Sequence, residues 1–284
     1  MDHFETTLTA SDGLQLYCQG WEPPESQARA AICLVHGLGE HSGRYAHVAD
    51  FLTQAGYAVI AADLRGHGKS GGQRGHASSF EAFMSDIDQL FAEADRRYPG
   101  LPRFLYGHSL GGLLVLNYAL RRKPDLRGVV ATSSALHSPL MEQKLKIGMA
   151  KLLSKVTPNT SLATGLDANT ISHDPAVVEA YKQDPLVHGV ATFAMTASVI
   201  QAIEYAFAHA AEFPVSLLLV HGTADKLTYS SGSQEFAKLV PAHCTLKLWE
   251  GLAHETHNEP EKEAVLGYLL GWLDSQLLVE STIR

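Results

Sequence analysis

Gly107-His108-Ser109-Leu110-Gly111 is the stretch of the chain that decides the fold. It joins a short strand-like run at 103–106 to an apolar run at 112–120 that indicates a buried helix. A serine between two glycines at such a junction is typical of the sharp turn that presents a nucleophilic hydroxyl group. Side chains beside so tight a turn would collide, so glycine is required there, and the serine adopts a strained backbone. The pattern predicts that Ser109 is a nucleophile.

A second stretch, 68–72, fits the same Gly-x-Ser-x-Gly pattern. Polar loops at 63–68 and 73–76 surround it, so neither a strand nor an apolar helix flanks it. Because the nucleophile turn needs both flanks, the context selects Ser109 and rejects Ser70. The other interpretation of the stretch around Ser109 is a plain glycine-rich turn, as in nucleotide-binding folds.

The composition is that of one large globular domain, or of one domain with an insertion. The chain has 284 residues, of which 45% are hydrophobic and 18% charged, with a formal net charge of −8. Since no basic surplus could neutralise phosphates, nucleic acid is not expected as a partner. The start of the chain lacks the basic and apolar parts of a signal peptide, and no apolar run suits a membrane span. We therefore expect a cytoplasmic protein.

Three cysteines, Cys18, Cys33 and Cys244, are widely spaced along the chain. An odd number at such spacings predicts neither a disulfide framework nor a metal site. Cys33 and Cys244 lie in strand-like runs, so buried thiols are expected at both positions.

Strand-like and helix-like runs alternate along most of the chain. The expected strands are 6–10, 14–18, 28–35, 57–61, 103–106, 126–131, 215–220 and 245–249, and the expected helices are 45–54, 80–98, 112–120, 233–239 and 258–278. Such alternation predicts an α/β fold with a mostly parallel central sheet and helices on both faces. From 133 to 213 helical and irregular stretches replace the strands. The prediction is a core domain of 1–132 and 214–284 with an inserted helical cap, 133–213.

A serine hydroxyl is a poor nucleophile until a base takes its proton, and that base is normally a histidine oriented by a carboxylate. In a fold of this kind the acid and then the histidine follow the serine along the chain, in loops after late strands. Asp225 and His254 occupy such loops. They are the predicted acid and base, although Asp225 could also be a simple turn residue. The rate is expected to fall as His254 protonates near its usual pKa of about 6.5.

Fifteen histidines compete for the role of base. His257 is close to His254, but Asn258 and Glu261 form a helix-capping pattern, which predicts that the closing helix begins at Asn258. Only His254 then remains in the loop. His108 is expected to point away from the substrate. The histidines beside glycines in turns are expected to make loop hydrogen bonds: His36, His67, His76 and His221.

Two backbone amides are expected to stabilise the negatively charged oxygen of the transition state. One is the amide of Leu110, directly after the nucleophile. The other should come from the glycine-rich turn 36–39, where the backbone can approach a substrate closely, and we assign it to Leu38.

The chain resembles the α/β-hydrolase superfamily, and within it the monoacylglycerol lipase and lysophospholipase group of serine aminopeptidase S33-like proteins. The resemblance extends nearly from end to end. The stretches that carry it are HGLGEHSGRY (36–45), DLRGHGKS (63–70), GHSLGG (107–112), HDP (173–175), DPLV (184–187), HGTAD (221–225) and His254. The positions of Leu38 and Leu110 vary in the group, but both act through the backbone.

The resemblance implies a cap over the site, no metal and no organic cofactor. It further implies that a monoacylglycerol is cleaved to fatty acid and glycerol through an acyl-enzyme intermediate. A lysophospholipase, a broad carboxylesterase or an amidase would use the same three residues. A non-catalytic hydrolase-like binding protein is the alternative from another class, although such proteins often lack one of the three.

The expected cap contains a basic and apolar stretch at 143–156 without any acidic residue. One interpretation is an amphipathic segment that touches a membrane surface. The other, which is commoner, is a helix packed over the core with its lysines in water. The lysines concerned are Lys144, Lys146, Lys151 and Lys155.

Overall fold

The computed structural model of the protein describes residues 2–23, 28–139, 141–240 and 243–278, with the backbone alone for 144–146. The strands in these ranges are β1 (Asp2–Thr9), β2 (Gln15–Glu22), β3 (Ala30–Val35), β4 (Tyr57–Ala62), β5 (Arg103–His108), β6 (Gly128–Thr132), β7 (Ser161–Ala163), β8 (Val190–Thr192), β9 (Leu217–Gly222) and β10 (Cys244–Trp249). The α-helices are α1 (Ala46–Gln54), α2 (Phe80–Arg97), α3 (Leu110–Arg122), α4 (Lys144–Val156), α5 (Pro175–Gln183), α6 (Phe193–His209), α7 (Ser230–Leu239) and α8 (Lys262–Leu278).

A central sheet organises the described residues, with the strand order β1-β2-β4-β3-β5-β6-β9-β10. The β1–β2 and β2–β4 pairs are antiparallel, and all other neighbours are parallel. The mostly parallel sheet predicted from the sequence is thus confirmed. Because parallel strands end at the same edge, the loops after β3, β5, β6, β9 and β10 meet there.

Helices cover both faces of the sheet, and the strands alternate their side chains between two apolar clusters. Within β3, Cys33 and Val35 pack into the cluster that contains α2 and α3. Ile32 and Leu34 pack into the other, with α1 and α8. Burial on both faces explains why these strands are continuously apolar.

Cys244 differs from the expectation of a buried thiol, because it is only half-buried. It lies in β10, an edge strand of the sheet, and every residue of β10 is partly exposed. Cys18 and Cys33 lie deeper in the sheet and are buried.

Between β6 and β9 the chain leaves the sheet and forms α4, α5 and α6. A short antiparallel pair, β7 and β8, accompanies these helices and was not expected from the sequence. Strands of three residues are too short to show an alternating pattern, which explains the omission. Helix α6 packs its buried Met195 and Ile203 into the core cluster of α2 and α3.

The closing helix begins at Lys262, not at Asn258 as predicted. Asn258 ends a short 3₁₀-helix instead, and its side-chain amide donates to Glu255 at 2.8 Å. That side chain is therefore not available to cap a helix. The carbonyl of Glu261 accepts from the amide of Val265 and so starts the first turn of α8.

The glycines of α3 and α8 allow a matched test of the close packing behind the nucleophile turn. A Cβ atom on Gly111 would lie 2.1 Å from the carbonyl oxygen of Val35, whereas one on Gly267 meets nothing within 4 Å. We expect Gly111→Ala to lower the free energy of unfolding by about 1–3 kcal/mol through overpacking. Gly267→Ala should raise it by roughly 0.5–1 kcal/mol through helix propensity. Urea denaturation measures both, and equal effects would contradict the steric explanation.

Candidate active site

Ser109 lies in the sharp turn between β5 and α3. Its backbone has φ 54° and ψ −114°, a combination that residues other than glycine seldom adopt. Its amide donates to the carbonyl of Thr132 at 2.9 Å, and its carbonyl accepts from the amide of Ala135 at 3.0 Å. Side chains are excluded on both flanks, because a Cβ atom on Gly107 would lie 2.3 Å from the carbonyl oxygen of Gly111, and one on Gly111 would lie 2.1 Å from that of Val35. These contacts hold the half-buried Ser109 at the carboxyl edge of the sheet.

Ser70, the serine of the second pattern, has a different role. Its hydroxyl donates to the carbonyl of Asp63 at 2.6 Å and accepts from the amide of Tyr17 at 2.9 Å. The side chain is buried and fastens its loop to β2.

Asp225 and His254 follow the neighbouring parallel strands β9 and β10 and meet at the same edge. Nδ1 of His254 lies 2.7 Å from Oδ2 of Asp225. The hydroxyl of Ser133 donates to the carbonyl of His254 at 2.6 Å, which fastens the His254 loop to the end of β6. Thr132, which precedes Ser133 in the chain, accepts the hydrogen bond from the amide of Ser109. The fold therefore brings the predicted nucleophile, acid and base to the same edge of the sheet.

The nucleophile and the base are not hydrogen-bonded to each other. Within the described residues, no hydrogen bond joins the Ser109 hydroxyl to the ring of His254. Contacts of this kind often tighten only when substrate binds. With Nδ1 bonded to Asp225, Nε2 is the nitrogen left to exchange a proton.

The Asp225 carboxylate is fully buried. Oδ1 accepts from the amides of Leu227 at 2.8 Å and Thr228 at 3.0 Å. Oδ2 lies near Nδ1 of His254, Nε2 of His221 at 3.1 Å and the Thr228 hydroxyl at 2.9 Å. Burial raises the pKa of this carboxyl group, but the charge of His254 and the hydrogen bonds of both histidines outweigh it and hold the pKa far below its usual range. Asp225 is therefore an anion that keeps a proton on Nδ1 of His254.

The pKa of His254 lies above its usual value, contrary to the expectation of an unperturbed histidine. Burial of the ring lowers the pKa, but the charge of Asp225 and its hydrogen bond to the ring raise it. The charges of Glu255 and Glu40 act in the same direction. The ring is thus a stronger base than a free imidazole.

The turn after β3 lies beside Ser109. A Cβ atom on Gly37 would be only 3.2 Å from Cβ of Ser109. The amide of Gly37 donates to Oε1 of Glu40 at 2.6 Å, which closes the turn around Leu38. Leu110 is the first residue of α3, where amides have no acceptor within the helix. Of the two residues predicted to bind the oxyanion, Leu110 directly follows the serine, and Leu38 follows Gly37, which lies beside it.

A buried ion-pair network, which sequence analysis missed, joins this turn to the loop of His254. Arg44 donates to Oε2 of Glu40 at 2.7 Å and to both carboxylate oxygens of Glu255 at 2.7 Å each. The spacing of Glu40 and Arg44 by four residues was a visible signal for part of it. Glu255 lies 211 residues beyond Arg44, so only the fold could identify it as a partner.

Two further histidines pack behind His254. The ring of His108 lies 4.8 Å from the rings of both His254 and His257, and His257 stacks on Tyr45 at 4.9 Å. Neither ring nitrogen of His257 has a hydrogen-bond partner among the described residues. Burial lowers the pKa of His108 and His257 well below the usual value, so both rings are neutral. His108, for which no such contact was foreseen, thus packs against the base.

The part of the chain that the structure describes contains no group of three or more His, Cys, Asp or Glu side chains arranged to hold a metal ion. None of its helices combines the length and the apolar character needed to cross a membrane.

The buried neutral histidines make stability fall on acidification. Burial lowers the pKa of His36, His67, His108 and His257 in the folded state, so below a pH of about 6.5 the unfolded chain binds more protons. His254, with its raised pKa, acts oppositely: its stabilisation is complete below that pH and is lost above its folded pKa. Burial also lowers the pKa of His47, His76 and His188, so seven histidines act against one. The free energy of unfolding should therefore fall below pH 6.5, by about 1.4 kcal/mol per pH unit for each histidine that only the unfolded state protonates.

Urea denaturation between pH 5.5 and 7.5, a window of about one unit around the usual histidine pKa, measures this dependence. His257→Phe keeps an aromatic ring on Tyr45 and removes one of these titrating groups. It should reduce the slope, and a variant with the slope of the wild type would contradict the assignment of His257.

Comparisons with known proteins identify the family of this chain. Residues 26–261 match the sequence model of the family described as serine aminopeptidase, S33. A monoacylglycerol lipase of Mycolicibacterium smegmatis is 35% identical over 275 residues, which cover 96% of this chain and 98% of that protein. The chain also matches an uncharacterised abhydrolase domain-containing protein of Dictyostelium discoideum at 38% identity, but it spans only 29% of that protein's length.

The crystal structure of a monoacylglycerol lipase of Paleococcus ferrophilus superposes with a TM-score of 0.84 at 39% identity. The alignment covers 92% of this chain and 99% of that structure. The order of the strands, the position of the serine turn and the sequence match all lead to one conclusion. The chain belongs to the serine aminopeptidase S33 family of serine hydrolases and has the α/β-hydrolase fold.

Proposed function

We propose that Ser109, Asp225 and His254 form the catalytic triad of an ester hydrolase that cleaves monoacylglycerols. The observation that carries the proposal is the 2.7 Å hydrogen bond between His254 and the buried Asp225, at the edge where the strained turn presents Ser109. Such a pair keeps Nε2 of the histidine free of a proton, so that it can accept the one from the serine.

In the proposed reaction, Oγ of Ser109 attacks the ester carbonyl while Nε2 of His254 takes its proton. The amides of Leu38 and Leu110 donate to the oxyanion, and removing one such donor typically costs about 10²–10³-fold in rate. His254 then protonates the departing glycerol oxygen, which leaves the acyl group on Ser109. Water then attacks the acyl carbonyl while Nε2 of His254 takes its proton. His254 returns a proton to Oγ of Ser109 as the fatty acid leaves.

Residues 133–213 act in this proposal as a cap that selects the substrate. Contacts between these residues and the turn after β3 support the role of a cap. The amide of His188 donates to the carbonyl of Gly39 at 2.9 Å. Asp184 also bonds to His41 at 2.8 Å. The choice of a monoacylglycerol rests on the related lipases named above.

A substrate panel with Ser109→Ala tests both the chemistry and the substrate. We expect wild type to prefer monoacylglycerols over lysophospholipids, diacylglycerols and p-nitrophenyl esters. Ser109→Ala should lose at least about 10⁴-fold in kcat, since the nucleophile is gone. A fluorophosphonate should label wild type and Ser70→Ala but not Ser109→Ala. Preference for a lysophospholipid would refute the assignment of a monoacylglycerol as the substrate. Labelling of Ser109→Ala would refute the assignment of Ser109 as the nucleophile.

The pH dependence of kcat/KM tests the assignment of the base. His254 must be neutral to accept a proton, and its pKa is raised by Asp225 despite burial. The acid limb should therefore have its midpoint above a pH of about 6.5, the usual histidine value. A profile that stays flat well below that pH would refute His254 as the base.

We also propose that α4 touches a lipid surface, where such substrates reside. Its exposed apolar side chains, Met149, Leu152 and Val156, are 50%, 63% and 70% exposed and recur at helical spacing. Lys155 is exposed beside them, whereas Lys151 is paired with Glu204 at 2.8 Å. The side chains of the other two lysines predicted to take part, Lys144 and Lys146, lie outside the described residues.

Sedimentation with vesicles of phosphatidylcholine and phosphatidylglycerol tests this contact. A variant with serine at 149, 152 and 156 should bind the vesicles at least about tenfold more weakly, because it loses the apolar face. Leu239→Ser, at an exposed leucine of α7, should bind like wild type. A variant with glutamine in place of the four lysines should lose affinity on anionic vesicles only. Equal binding by all variants would refute the membrane contact.

A further inference from the structure

His221 makes a second histidine contact to the Asp225 carboxylate. It lies near the end of β9, and its side chain is completely buried. Nε2 of His221 is 3.1 Å from Oδ2 of Asp225 and 2.9 Å from the carbonyl oxygen of Thr228. Nδ1 lies 2.8 Å from the hydroxyl of Ser233, a buried residue of α7. Both ring nitrogens therefore have partners.

These partners decide where the ring carries its proton. The two nearest partners of Nε2 are a carboxylate and a carbonyl oxygen, which can only accept, so Nε2 must carry a hydrogen. The hydroxyl of Ser233 can then donate to Nδ1, and a neutral ring satisfies each of these contacts. His221 thus presents an N–H group to Oδ2 of Asp225, the same oxygen that accepts the hydrogen bond from Nδ1 of His254.

The two oxygens of Asp225 are held in different ways. Oδ1 accepts from two backbone amides, which the loop itself positions. Oδ2 has only side chains around it: His254, His221 and the hydroxyl of Thr228. That hydroxyl has one hydrogen, and it also lies 2.9 Å from the carbonyl of Ser133. The N–H group of His221 is likewise shared, between Oδ2 and the carbonyl of Thr228, so apart from the base Oδ2 depends on two shared donors, of which His221 is the N–H donor.

We propose that His221 is a positioning residue of the reaction, which acts through Asp225 by orienting Oδ2 toward His254. The inference rests on the proposed triad. His221 touches neither the serine nor the base, so it is not itself catalytic. Its loss should let the carboxylate rotate and so misalign the ring of His254.

A second consequence concerns the basicity of His254. Without the N–H group of His221, the negative charge on Oδ2 is less well satisfied and attracts the proton on His254 more strongly. The other titratable groups that face the His254 ring are Glu255, Glu40, His108 and His257, and a substitution at 221 leaves all of them in place. A change in the pKa of His254 would therefore report on Asp225.

Two amide substitutions separate positioning from simple packing. His221→Gln can place its amide nitrogen where Nε2 lies, so it keeps a donor for Asp225. His221→Asn is shorter and reaches only the place of Nδ1, so it keeps the contact to Ser233 and loses the donor. We expect the Gln variant to retain kcat within about threefold, and the Asn variant to lose about tenfold or more, the usual effect of one hydrogen bond to a charged group.

The measurements are kcat and KM per fluorophosphonate-labelled site, the acid limb of kcat/KM, and the pKa of His254 from proton NMR of the protein without substrate. The Asn variant should keep KM and shift both the acid limb and the His254 pKa to higher pH. The Gln variant should leave them unchanged. If both variants lose the same activity, or neither moves the His254 pKa, the role of His221 is structural and the inference is wrong.

Failure of the proposed function has a different signature. A wild type that hydrolyses no ester would refute the proposed function, while the NMR titration of His254 would still test the contact of His221 with Asp225.

Discussion

The close approach of three backbones behind Ser109 is the constraint on which the rest of the site depends. Gly111 lies against the carbonyl oxygen of Val35, and Gly107 lies against that of Gly111, at distances that admit no side chain. This contact seats the start of α3 on the end of β3 and strains the backbone of Ser109. It also brings the turn of Leu38 beside the serine. The same close packing therefore positions both the nucleophile and the turn next to it.

Around this turn the charged groups of the site are largely buried and are paired with one another. The Asp225 carboxylate is surrounded by donors, and the largely buried Arg44 bridges Glu40 and Glu255. Charges in such places are tolerated only when they are paired and hydrogen-bonded. The loops after β3, β9 and β10 are therefore tied to one another by electrostatic contacts. The geometry around His254 follows from these contacts and not from its own loop alone.

Much of the fold could be read from local pattern. The alternation of apolar runs predicted the parallel sheet, and strand and helix flanks distinguished Ser109 from Ser70. The failures have equally local causes. The prediction that a helix begins at Asn258 was wrong because the side chain of Asn258 is hydrogen-bonded to Glu255. Strands β7 and β8 were missed because they are too short to show an alternating pattern. Cys244 is half-buried because β10 is an edge strand, a position that composition does not reveal.

The sequence by itself determined the turn at Ser109, the order of nucleophile, acid and base along the chain, and the fold class. These properties depend on local sterics and on the order of the strands. Only the tertiary structure decided which side chains meet around Asp225 and His254. It revealed Glu255 as the partner of Arg44, His221 as a donor to Asp225 and His108 as a neighbour of the base. Such contacts join residues on different strands and loops, and no pattern within a single segment records the distances that folding creates between them.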